Sequence, residues 1–444
     1  MDVTILGGTT SSDKFGEPLK ARVPEHVSNL LCQAGALADQ LSVRAFVVGG
    51  FVRDLLLGIE NFDLDLVIEG DGIAFARALG RNLGVHVQVY DRFGTAVLML
   101  PHRVKLDVAT ARGESYAHPT ALPVVKPGSL EKDLFRRDFT INTLAIPLNR
   151  TGFGELLDVR GGLRDLQRKT IRVLHDRSFV DDPTRLFRAI RFAQRFGFRM
   201  EANTLRLLKE AAATDLVHRL SGPRLRNEIM LLLAEKDVSR TIQRMGTMDL
   251  LRFIHPRLRP TLQVEILLKH IAPIMAWWTK RFPDRPLDRP LIYLMGLIDG
   301  LTLSAAEAVL KRLAFPNRQA DKVRHVKQSL PSALRTLSAR RSLKPSAVYR
   351  PLSALPDEGL VLLAAKSTSL SDNVHATVKR EISAYLTTYR HITPSLTGDD
   401  LTDLGLKPGP LYKKILGRLR DARLNEEVST KAEERALVKR IAKL

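Results

Sequence analysis

One stretch of the chain, residues 47–70, restricts the possible folds more than any other. It reads VVGGFVRDLLLGIENFDLDLVIEG: a β-branched run, two glycines, a short apolar helical pattern and a second β-rich run that carries Asp63 and Asp65. In the second run acidic and apolar residues alternate, so both carboxylates lie on one face of a strand and the apolar side chains on the other. The stretch therefore predicts a strand, a turn, a helix and a second strand with one polar face.

The glycine pair in this stretch is suited to holding a phosphate. Gly49 and Gly50 end a strand and open a helix, where the first amide N–H groups have no partner and the absence of a side chain lets a ligand approach. Arg53 lies one turn into the helix and can reach the same phosphates. In most proteins, however, a glycine pair after a strand is only a tight turn.

The paired carboxylates suggest a cation. Asp63 and Asp65 repel each other on one strand face, and Mg²⁺ binds one or two carboxylates together with phosphate oxygens of a substrate. Asp107, in the β-rich run VKLDVAT, is a candidate third carboxylate of a two-metal site. The residues alone leave open a solvated strand edge and an exposed Asp107.

The distribution of apolar residues predicts two structurally different parts. Residues 25–41 have a helical pattern, and residues 43–150 contain short β-rich runs with helices over 51–57 and 72–84, which favours an α+β domain around one sheet. After about residue 160 apolar residues recur at helical spacing to the C-terminus. The predicted strands are RAFVVGG, DLDLVIEG, VHVQVY, TAVLML, VKLDVAT and FTINTLAIP.

The charge of the chain points to a polyanionic partner. The 444 residues include 69 Lys and Arg against 48 Asp and Glu, a net charge of +21, which is most useful to a protein that binds nucleic acid. No run of apolar residues is long enough to span a membrane, and no secretory signal pattern opens the chain. The single cysteine, Cys32, excludes internal disulfides and a zinc site built from cysteines. We expect a cytoplasmic protein that binds nucleic acid.

Several motifs occur in an order that resembles one known family. The stretch GGFVRDLLLGIENFDLDLVIEG is similar to the first motif of the class II tRNA nucleotidyltransferase and bacterial poly(A) polymerase family, Gly-Gly-x-x-Arg-Asp followed by Asp-x-Asp. The segments TARGESYAHPTALP, DLFRRDFTINTLAI, DVRGGLRDL and DDPTRLFRAIRFAQRFGF also match the family in order, so the resemblance covers residues 43–200. TGDDLTDLGLKPGPLYKKIL resembles a tail motif common there.

The resemblance implies an α+β head with the nucleotidyltransferase fold, a mixed sheet with helices, followed by an all-α neck, body and tail. On this basis we expect an N-terminal extension over residues 1–24, the head over 25–157, the neck over 158–245, the body over 246–350 and a tRNA-binding tail over 351–444. By matching position, Asp63 and Asp65 would bind the catalytic Mg²⁺ ions, with Asp107 as a third acid. Gly49, Gly50, Arg53 and Arg137 would contact the nucleoside triphosphate.

The segment DDPTRLFRAIRFAQR predicts a helix with one basic face. Asp182, Arg185, Arg188 and Arg191 step by three along it, and most such patterns are amphipathic helices with a solvated face. Asp181 or Asp182 also suits the N-cap of this helix. The resemblance implies a further role, in which Asp182 and Arg185 pair with the Watson–Crick edge of the incoming base while Arg188 and Arg191 face the triphosphate.

Hydrogen-bond chemistry then predicts which bases such a site accepts. A carboxylate accepts from the exocyclic amino group of cytosine or adenine, and a guanidinium donates to the neighbouring ring nitrogen. Uracil and guanine present a carbonyl and a ring N–H at these places, so they would leave buried polar groups unpaired. The expected substrates are CTP and ATP.

The residues favour one member of the family over others. The Gly-Arg-Arg-Phe signature of the poly(A) polymerases is missing from VHVQVYDRFGTAVLML, and the segment ARGESYAHPTALPVVKPGSLEKDL is not shortened as in CC-adding enzymes. We therefore expect template-independent addition of C, C and A to tRNA by two-metal nucleotidyl transfer, with release of pyrophosphate. An A-adding enzyme would keep the same segment and is the main alternative; an RNA-binding protein with a decayed head is disfavoured because the acids are present.

Two further patterns have an ordinary explanation. His175 and Asp176 form an HD dipeptide, but the further ligands of a metal-dependent phosphohydrolase do not follow it on successive helices. Trp277 and Trp278 lie in a helical pattern that favours the core over a stacking surface.

Overall fold

A computed structural model describes residues 23–115, 124–339 and 343–442 of the chain. The predicted extension over 1–24 thus falls almost wholly outside the described residues, as do residues 116–123 of the segment used above to distinguish CC addition. The chain divides into two compact units, one ending at Leu220 and the other beginning at Ser221. This division falls within the range predicted as the neck.

The first unit is built on a mixed sheet of six strands in the order β3-β4-β5-β2-β1-β8. β2 and β5 pair in parallel and the other neighbours are antiparallel. Five of the six predicted strands are confirmed. The strands of the sheet are β1 (Arg44–Val48), β2 (Asp63–Glu69), β3 (Val87–Tyr90), β4 (Thr95–Met99), β5 (Lys105–Thr110) and β8 (Ala145–Pro147), and the antiparallel pair β6 (Arg112–Ser115) and β7 (Val124–Pro127) lies outside it.

The sixth predicted strand, FTINTLAIP, is wrong over its first half. Thr140–Asn142 form a 3₁₀ helix, and the strand begins only at Ala145. The Thr140 hydroxyl donates to Asp165 Oδ2 at 2.7 Å, and the Thr143 hydroxyl donates to the Thr140 carbonyl at 2.8 Å. These short polar side chains satisfy a turn in place of a strand ladder.

Helices cover the sheet and continue beyond it. α1 and α3 pack against the strands, and α3 begins where Asp71 accepts a hydrogen bond from the Ala74 N–H at 2.9 Å. The helices are α1 (Glu25–Gln40), α2 (Gly50–Leu56), α3 (Gly72–Leu83), α4 (Leu130–Phe135), α5 (Gly162–Gln167), α6 (Ser178–Asp181), α7 (Thr184–Phe196) and α8 (Ala202–Ala212), with 3₁₀ turns at Asp91–Phe93, Pro101–Arg103 and Leu216–Arg219.

The sequence predicted that the region after residue 160 is purely helical, and this prediction is wrong at one place. β9 (Thr170–Ile171) and β10 (Arg199–Met200) form a short parallel pair on either side of α7. Two-residue strands carry too little periodicity to be recognised in a sequence. The core of the unit contains fully buried aromatic rings, among them Phe46, Phe75, Phe139 and Phe187.

The second unit contains only helices within its described residues. Trp278 is fully buried and its indole N–H donates to the Arg285 carbonyl at 3.1 Å, which confirms the core prediction for this residue, whereas Trp277 is only half-buried. None of the helices in the described part of the chain combines the length and apolar character needed to cross a bilayer. The helices are α9 (Gly222–Ala234), α10 (Val238–Thr247), α11 (Leu262–Arg281), α12 (Arg289–Leu297), α13 (Leu303–Arg312), α14 (Asn317–Leu337), α15 (Pro345–Ser353), α16 (Asp357–Ser367), α17 (Asp372–Thr387), α18 (Gly398–Asp403), α19 (Pro410–Leu424) and α20 (Lys431–Ala442), with 3₁₀ turns at Leu250–Phe253 and Tyr389–His391.

Two helical glycines allow a test of the packing. A Cβ atom on Gly35 of α1 would lie 1.8 Å from the Leu148 carbonyl oxygen, so Gly35→Ala should destabilise the protein by at least about 1–3 kcal/mol although alanine favours helix. Gly417 of α19 has nothing within 4 Å of the added atom, and Gly417→Ala should stabilise by about 0.5–1 kcal/mol. Denaturant unfolding of both variants measures this contrast; a neutral Gly35→Ala would contradict the close packing of α1.

Candidate active site

Three carboxylates meet on one face of the sheet. Asp65 on β2 lies opposite Asp107 on β5, and Asp63 lies opposite Lys105. Leu64 is fully buried beneath them, whereas the side chains of Asp63 and Asp107 are 63% and 32% exposed. The predicted alternation on β2 is therefore present, and the parallel pairing of β2 with β5 brings Asp107 to the same place.

A lysine ammonium already lies between two of these acids. Lys105 Nζ donates to Asp107 Oδ2 and lies 3.3 Å from Asp63 Oδ1. Burial lowers the pKa of Lys105, but Asp107 and Asp63 outweigh this effect and raise the pKa above its usual value. The face thus attracts positive charge, as a cation site requires.

Asp65 is the acid whose ionised form is most destabilised by its surroundings. Burial, with smaller contributions from Asp107 and Asp63, raises the pKa of Asp65 to about 6 against the opposing effect of Arg137. A divalent cation would remove this penalty, so the donor set fits Mg²⁺. In the described ranges no three His, Cys, Asp or Glu side chains converge to hold a metal by themselves. This is compatible with Mg²⁺ sites in which substrate phosphates supply the remaining oxygens.

The glycine turn lies directly beside Asp65. Gly49 has φ 74° and ψ −125°, a conformation that residues with a side chain avoid. A Cβ atom at this position would lie 2.5 Å from Arg137 Nη1 and 3.6 Å from Asp65 Oδ2. Gly49, Asp65 and Arg137 therefore surround one small space, and Gly50 begins α2 at its edge.

A buried acid orients Arg137. Asp133 on α4 is fully buried, and its Oδ2 accepts from Arg137 Nη2 at 3.1 Å while its Oδ1 accepts from Arg136 Nε at 3.0 Å. Burial raises the pKa of Asp133, but Arg137 and Arg136 outweigh this effect and hold the pKa below its usual value. One carboxylate thus fixes two neighbouring guanidinium groups in different directions.

Arg53 is buried and bonded within the protein. Its Nη1 donates to Asn142 Oδ1 at 2.6 Å and its Nε donates to Asp54 Oδ1 at 2.8 Å. The guanidinium carbon also lies 4.7 Å from the centre of the Phe196 ring of α7. Contact between Arg53 and a triphosphate stays a prediction. In this arrangement the Arg53 guanidinium lies next to the glycine turn, 3.6 Å from the position of a Cβ atom on Gly50.

The aspartate of the RRD motif anchors α7. Asp138 Oδ2 accepts from Arg188 Nε at 2.8 Å, and its Oδ1 accepts from Asn142 Nδ2 at 2.9 Å. Burial raises the pKa of Asp138, but Arg188 and the hydrogen bond from Asn142 lower the pKa to about 2. Arg188, predicted to face a triphosphate, is thus held by the head through Asp138.

The two residues predicted to read the base, Asp182 and Arg185, have different hydrogen-bond partners. Asp182 Oδ1 accepts from the backbone N–H of Thr184 at 3.0 Å and from its hydroxyl at 2.7 Å, so Asp182 binds the first residue of α7, whereas Pro183 occupies the N-cap position predicted for an aspartate. Arg185 is buried, and its guanidinium donates to Ser178 Oγ at 2.8 Å and to the Arg136 carbonyl at 2.5 Å. Their role in base recognition stays a prediction.

A cleft of about 760 Å³ adjoins this helix. Arg185 and Arg136 line one part of it, and Asp181 lines another, where it lies 3.5 Å from Arg177. Arg191 is buried, with its guanidinium carbon 4.9 Å from the centre of the Phe192 ring. Arg185 therefore lines the cleft, and Arg191 does not.

Sequence reasoning missed the acids and amides that position the arginines. They all lie in or beside the motifs GGFVRD, IENFD and DLFRRDFTIN. These motifs were used to recognise the family, and the residues that hold the arginines in place were not identified from them. A charge three or four residues before an arginine pair, as in DLFRR, is the signal that could have identified one of them. The missed residues are Asp54, Asn61, Asp133, Asp138 and Asn142.

Comparisons with known proteins agree with this geometry. Residues 45–172 match the family model described as the Poly A polymerase head domain, and residues 197–262 match the model described as the probable RNA and SrmB- binding site of polymerase A. The chain belongs to the family of tRNA nucleotidyltransferases and poly(A) polymerases.

Individual relatives differ in the specificity that their names state. An A-adding tRNA nucleotidyltransferase of Geobacter sulfurreducens is 41% identical over 96% of this chain, which spans about half (48%) of that relative's length. An A-adding enzyme of Halalkalibacterium halodurans is 32% identical over 87% of this chain and 86% of its own. The solved structure of the Thermotoga maritima CCA-adding enzyme complexed with tRNA is 34% identical, with a TM-score of 0.73, over 95% of this chain and 97% of its own.

The raised pKa of Asp65 predicts a measurable effect on stability in metal-free buffer. Because the folded pKa is about 6 and the usual value is 3.8, the folded state binds the proton more tightly, so stability falls as pH rises through this window. Asp65→Asn cannot ionise and should be more stable than the natural protein at pH 8 by on the order of 2 kcal/mol, with no difference below about pH 4.

Urea unfolding at pH 8, with a chelator present, measures this difference. Asp63→Asn is the matched control because the Asp63 side chain is 63% exposed and its charge is solvated. An Asp65→Asn variant that is less stable than the natural protein at pH 8 would contradict the proposed cost of the Asp65 charge.

Proposed function

We propose that the protein is an A-adding tRNA nucleotidyltransferase, which transfers AMP from ATP to the 3′-hydroxyl of a tRNA ending in CC. In this reaction the RNA 3′-oxygen bonds to the α-phosphorus, the bond to the β-phosphate oxygen breaks, and pyrophosphate leaves. The observation that carries the specificity is the 41% identity to the Geobacter A-adding enzyme over 96% of this chain. Because the chain spans about half of that relative, activity, substrates and partners all belong to the proposal.

The carboxylate face would hold the catalytic cation. Asp63 and Asp65 are its ligands in this proposal, and Asp107 is the third acid. When bound, Mg²⁺ lowers the charge of the reacting phosphate and stabilises the oxygens that attack and leave. Lys105, which bonds to Asp107 and lies 3.3 Å from Asp63, supplies positive charge to the same face.

The glycine turn and Arg137 would receive the triphosphate. The Gly49 position has no room for a side chain, so the backbone of the turn can come close to phosphate oxygens. Arg137 supplies a positive charge whose direction is set by Asp133 before the nucleotide arrives. Gly50, Arg53, Arg188 and Arg191 complete the predicted set, with Arg53 and Arg188 acting through the residues that they hold in place.

Base choice would depend on α7. Arg185 lies in the wall of the cleft with a fixed guanidinium, and a donor there matches the ring nitrogen N1 of adenine. Asp182, at the start of the same helix, matches the exocyclic amino group. Uracil and guanine would present a carbonyl to the acceptor and a ring N–H to the donor. Both protein groups would then stay unpaired, so UTP and GTP would be rejected.

Addition of the complete CCA end, from CTP and ATP, is the second candidate. The similarity to the tRNA complex of the Thermotoga CCA-adding enzyme favours it, and the same acceptor and donor would accept cytosine. The net charge of +21 supports an RNA partner for either activity. Addition of CC alone and synthesis of a poly(A) tail are less supported alternatives.

A primer-extension assay distinguishes these activities. Purified protein receives tRNA ending at the discriminator base, at C, or at CC, with each nucleoside triphosphate singly and with CTP and ATP together. We expect one A on the CC end and no C on the shorter ends, because ATP is the proposed substrate. Asp65→Asn should lose at least about a hundredfold in rate, which excludes a contaminating activity.

Each other outcome identifies a different function. Stepwise addition of C, C and A to the shortest tRNA would replace the proposal by full CCA addition. An open-ended A tail would indicate a poly(A) polymerase, and no addition to any end would overturn nucleotidyl transfer to tRNA altogether.

A further inference from the structure

The cleft beside Arg185 contains an exposed aromatic ring that the proposed reaction does not use. Phe135, the last residue of α4, is 41% exposed, whereas the preceding Leu134 is fully buried. The ring faces the cleft together with His175 and Arg160. A large exposed ring inside a concave polar site suggests a ligand with an apolar surface.

The groups around Phe135 form an ordered arrangement. The His175 ring centre lies 5.3 Å from that of Phe135, with the two planes inclined by 32°. The Arg160 guanidinium carbon lies 4.6 Å from the centre of the Phe135 ring. Arg160 Nε is buried without a hydrogen-bond partner among the described residues, as expected of a guanidinium held by a ring. Flat groups of this kind are the surfaces on which nucleobases stack.

The charge of the cleft suits a phosphate-bearing ligand. Its basic side chains outnumber its acidic ones, and two of the acids already face a basic group, Asp181 with Arg177 at 3.5 Å and Glu131 with Arg160 at 3.9 Å. Lys132 is exposed and its ammonium has no hydrogen bond or ion pair within the described part of the chain. Positive charge next to a stacking ring is the combination found where proteins bind single-stranded nucleic acid.

His175 contributes a flat ring that carries no charge at neutral pH. Burial lowers its pKa, and Arg185 and Arg177 lower it further against the opposing effect of Asp181 and Asp176. An uncharged imidazole can stack on a base and hydrogen-bond to its edge. This use of His175 differs from the metal-ligand role that an HD dipeptide would suggest.

The position of the cleft indicates which nucleotide it receives. It shares Arg185 with the proposed site of the incoming base, whereas Asp65 and Gly49 of the carboxylate face do not line it. We propose that Phe135, with His175 and Arg160, is a stacking surface for an unpaired base at the 3′ end of the RNA. The proposal rests on the proposed extension of an RNA 3′ end and names the contact that positions that end.

Equilibrium binding of two RNA hairpins tests the proposal. Both carry the acceptor stem of a tRNA; one ends in an unpaired CC overhang and the other is blunt, and no nucleotide is present. Phe135→Ala in the full chain should weaken binding of the CC hairpin by about 5- to 100-fold, the loss of one stacked base, and leave the blunt hairpin unchanged. Phe135→Trp should retain the natural affinity because a larger ring still stacks.

Two further variants make the test specific. Phe93→Ala is the matched control: Phe93 is 38% exposed and has the Arg92 guanidinium 5.6 Å from its ring centre, but it does not line the cleft. It should bind both hairpins normally. Phe135→Leu keeps an apolar side chain without a ring and should weaken binding like Phe135→Ala, so it replaces the alanine variant if that one unfolds.

The outcomes separate this proposal from the proposed function. Equal affinity of Phe135→Leu and the natural protein for the CC hairpin, or an equal loss for both hairpins, would overturn the stacking role. A rise in the ATP dissociation constant without a change in RNA affinity would assign the surface to the incoming nucleotide and overturn the proposal as well. Failure of the natural protein to add A, with the CC-specific loss of binding intact, would overturn only the proposed function.

Discussion

A continuous chain of hydrogen bonds, mostly between buried polar side chains, connects β2 with α7, the helix predicted to read the base. It begins at the backbone N–H of Asp63, which donates to a side-chain amide at 2.8 Å, and ends at the guanidinium of the basic helix. Every link is between 2.6 and 2.9 Å, and most of the members are buried. Such a network is stable only when all its members are satisfied, so it holds its parts in one arrangement. Its members are Asn61, Asp54, Arg53, Asn142, Asp138 and Arg188.

This network and the neighbouring Asp133 explain how several arginines can lie close together at the proposed phosphate site. A phosphate-binding site needs several arginines close together, and their mutual repulsion would spread them apart. Asp133 holds Arg137 toward the glycine turn, and Asp138 holds Arg188 on α7. The cost of burying these acids is offset by the bonds they accept, as their lowered pKa values indicate. The positive groups are therefore already oriented in the absence of the proposed nucleotide, and such preorganisation is the main source of electrostatic catalysis.

The sequence was most informative where structure depends on neighbouring residues. The alternation around Asp63 and Asp65 and the period of α1 and α3 are local, so both were predictable, as was the family itself. The first half of FTINTLAIP was mistaken for a strand because the partner of Thr140, Asp165, lies 25 residues away. Asp138 was missed for a similar reason, since its partner Arg188 lies 50 residues away, whereas the spacing in DLFRR was a local signal for Asp133 that was not used. The position of Pro183, not an aspartate, at the N-cap of α7 also depends on geometry that spacing does not contain.

A double-mutant cycle on Asp138 and Arg188 measures whether the network orients the proposed nucleotide site. The dissociation constant for ATP is measured by calorimetry for the natural protein, Asp138→Asn, Arg188→Gln and the double variant, with thermal unfolding as a check on folding. If the two residues act as one unit, each single change weakens ATP binding and the double variant binds no more weakly than the worse single variant. If the fold-losses in ATP affinity of the two single variants multiply in the double variant, the two residues act independently. That result would contradict an orienting role of the network.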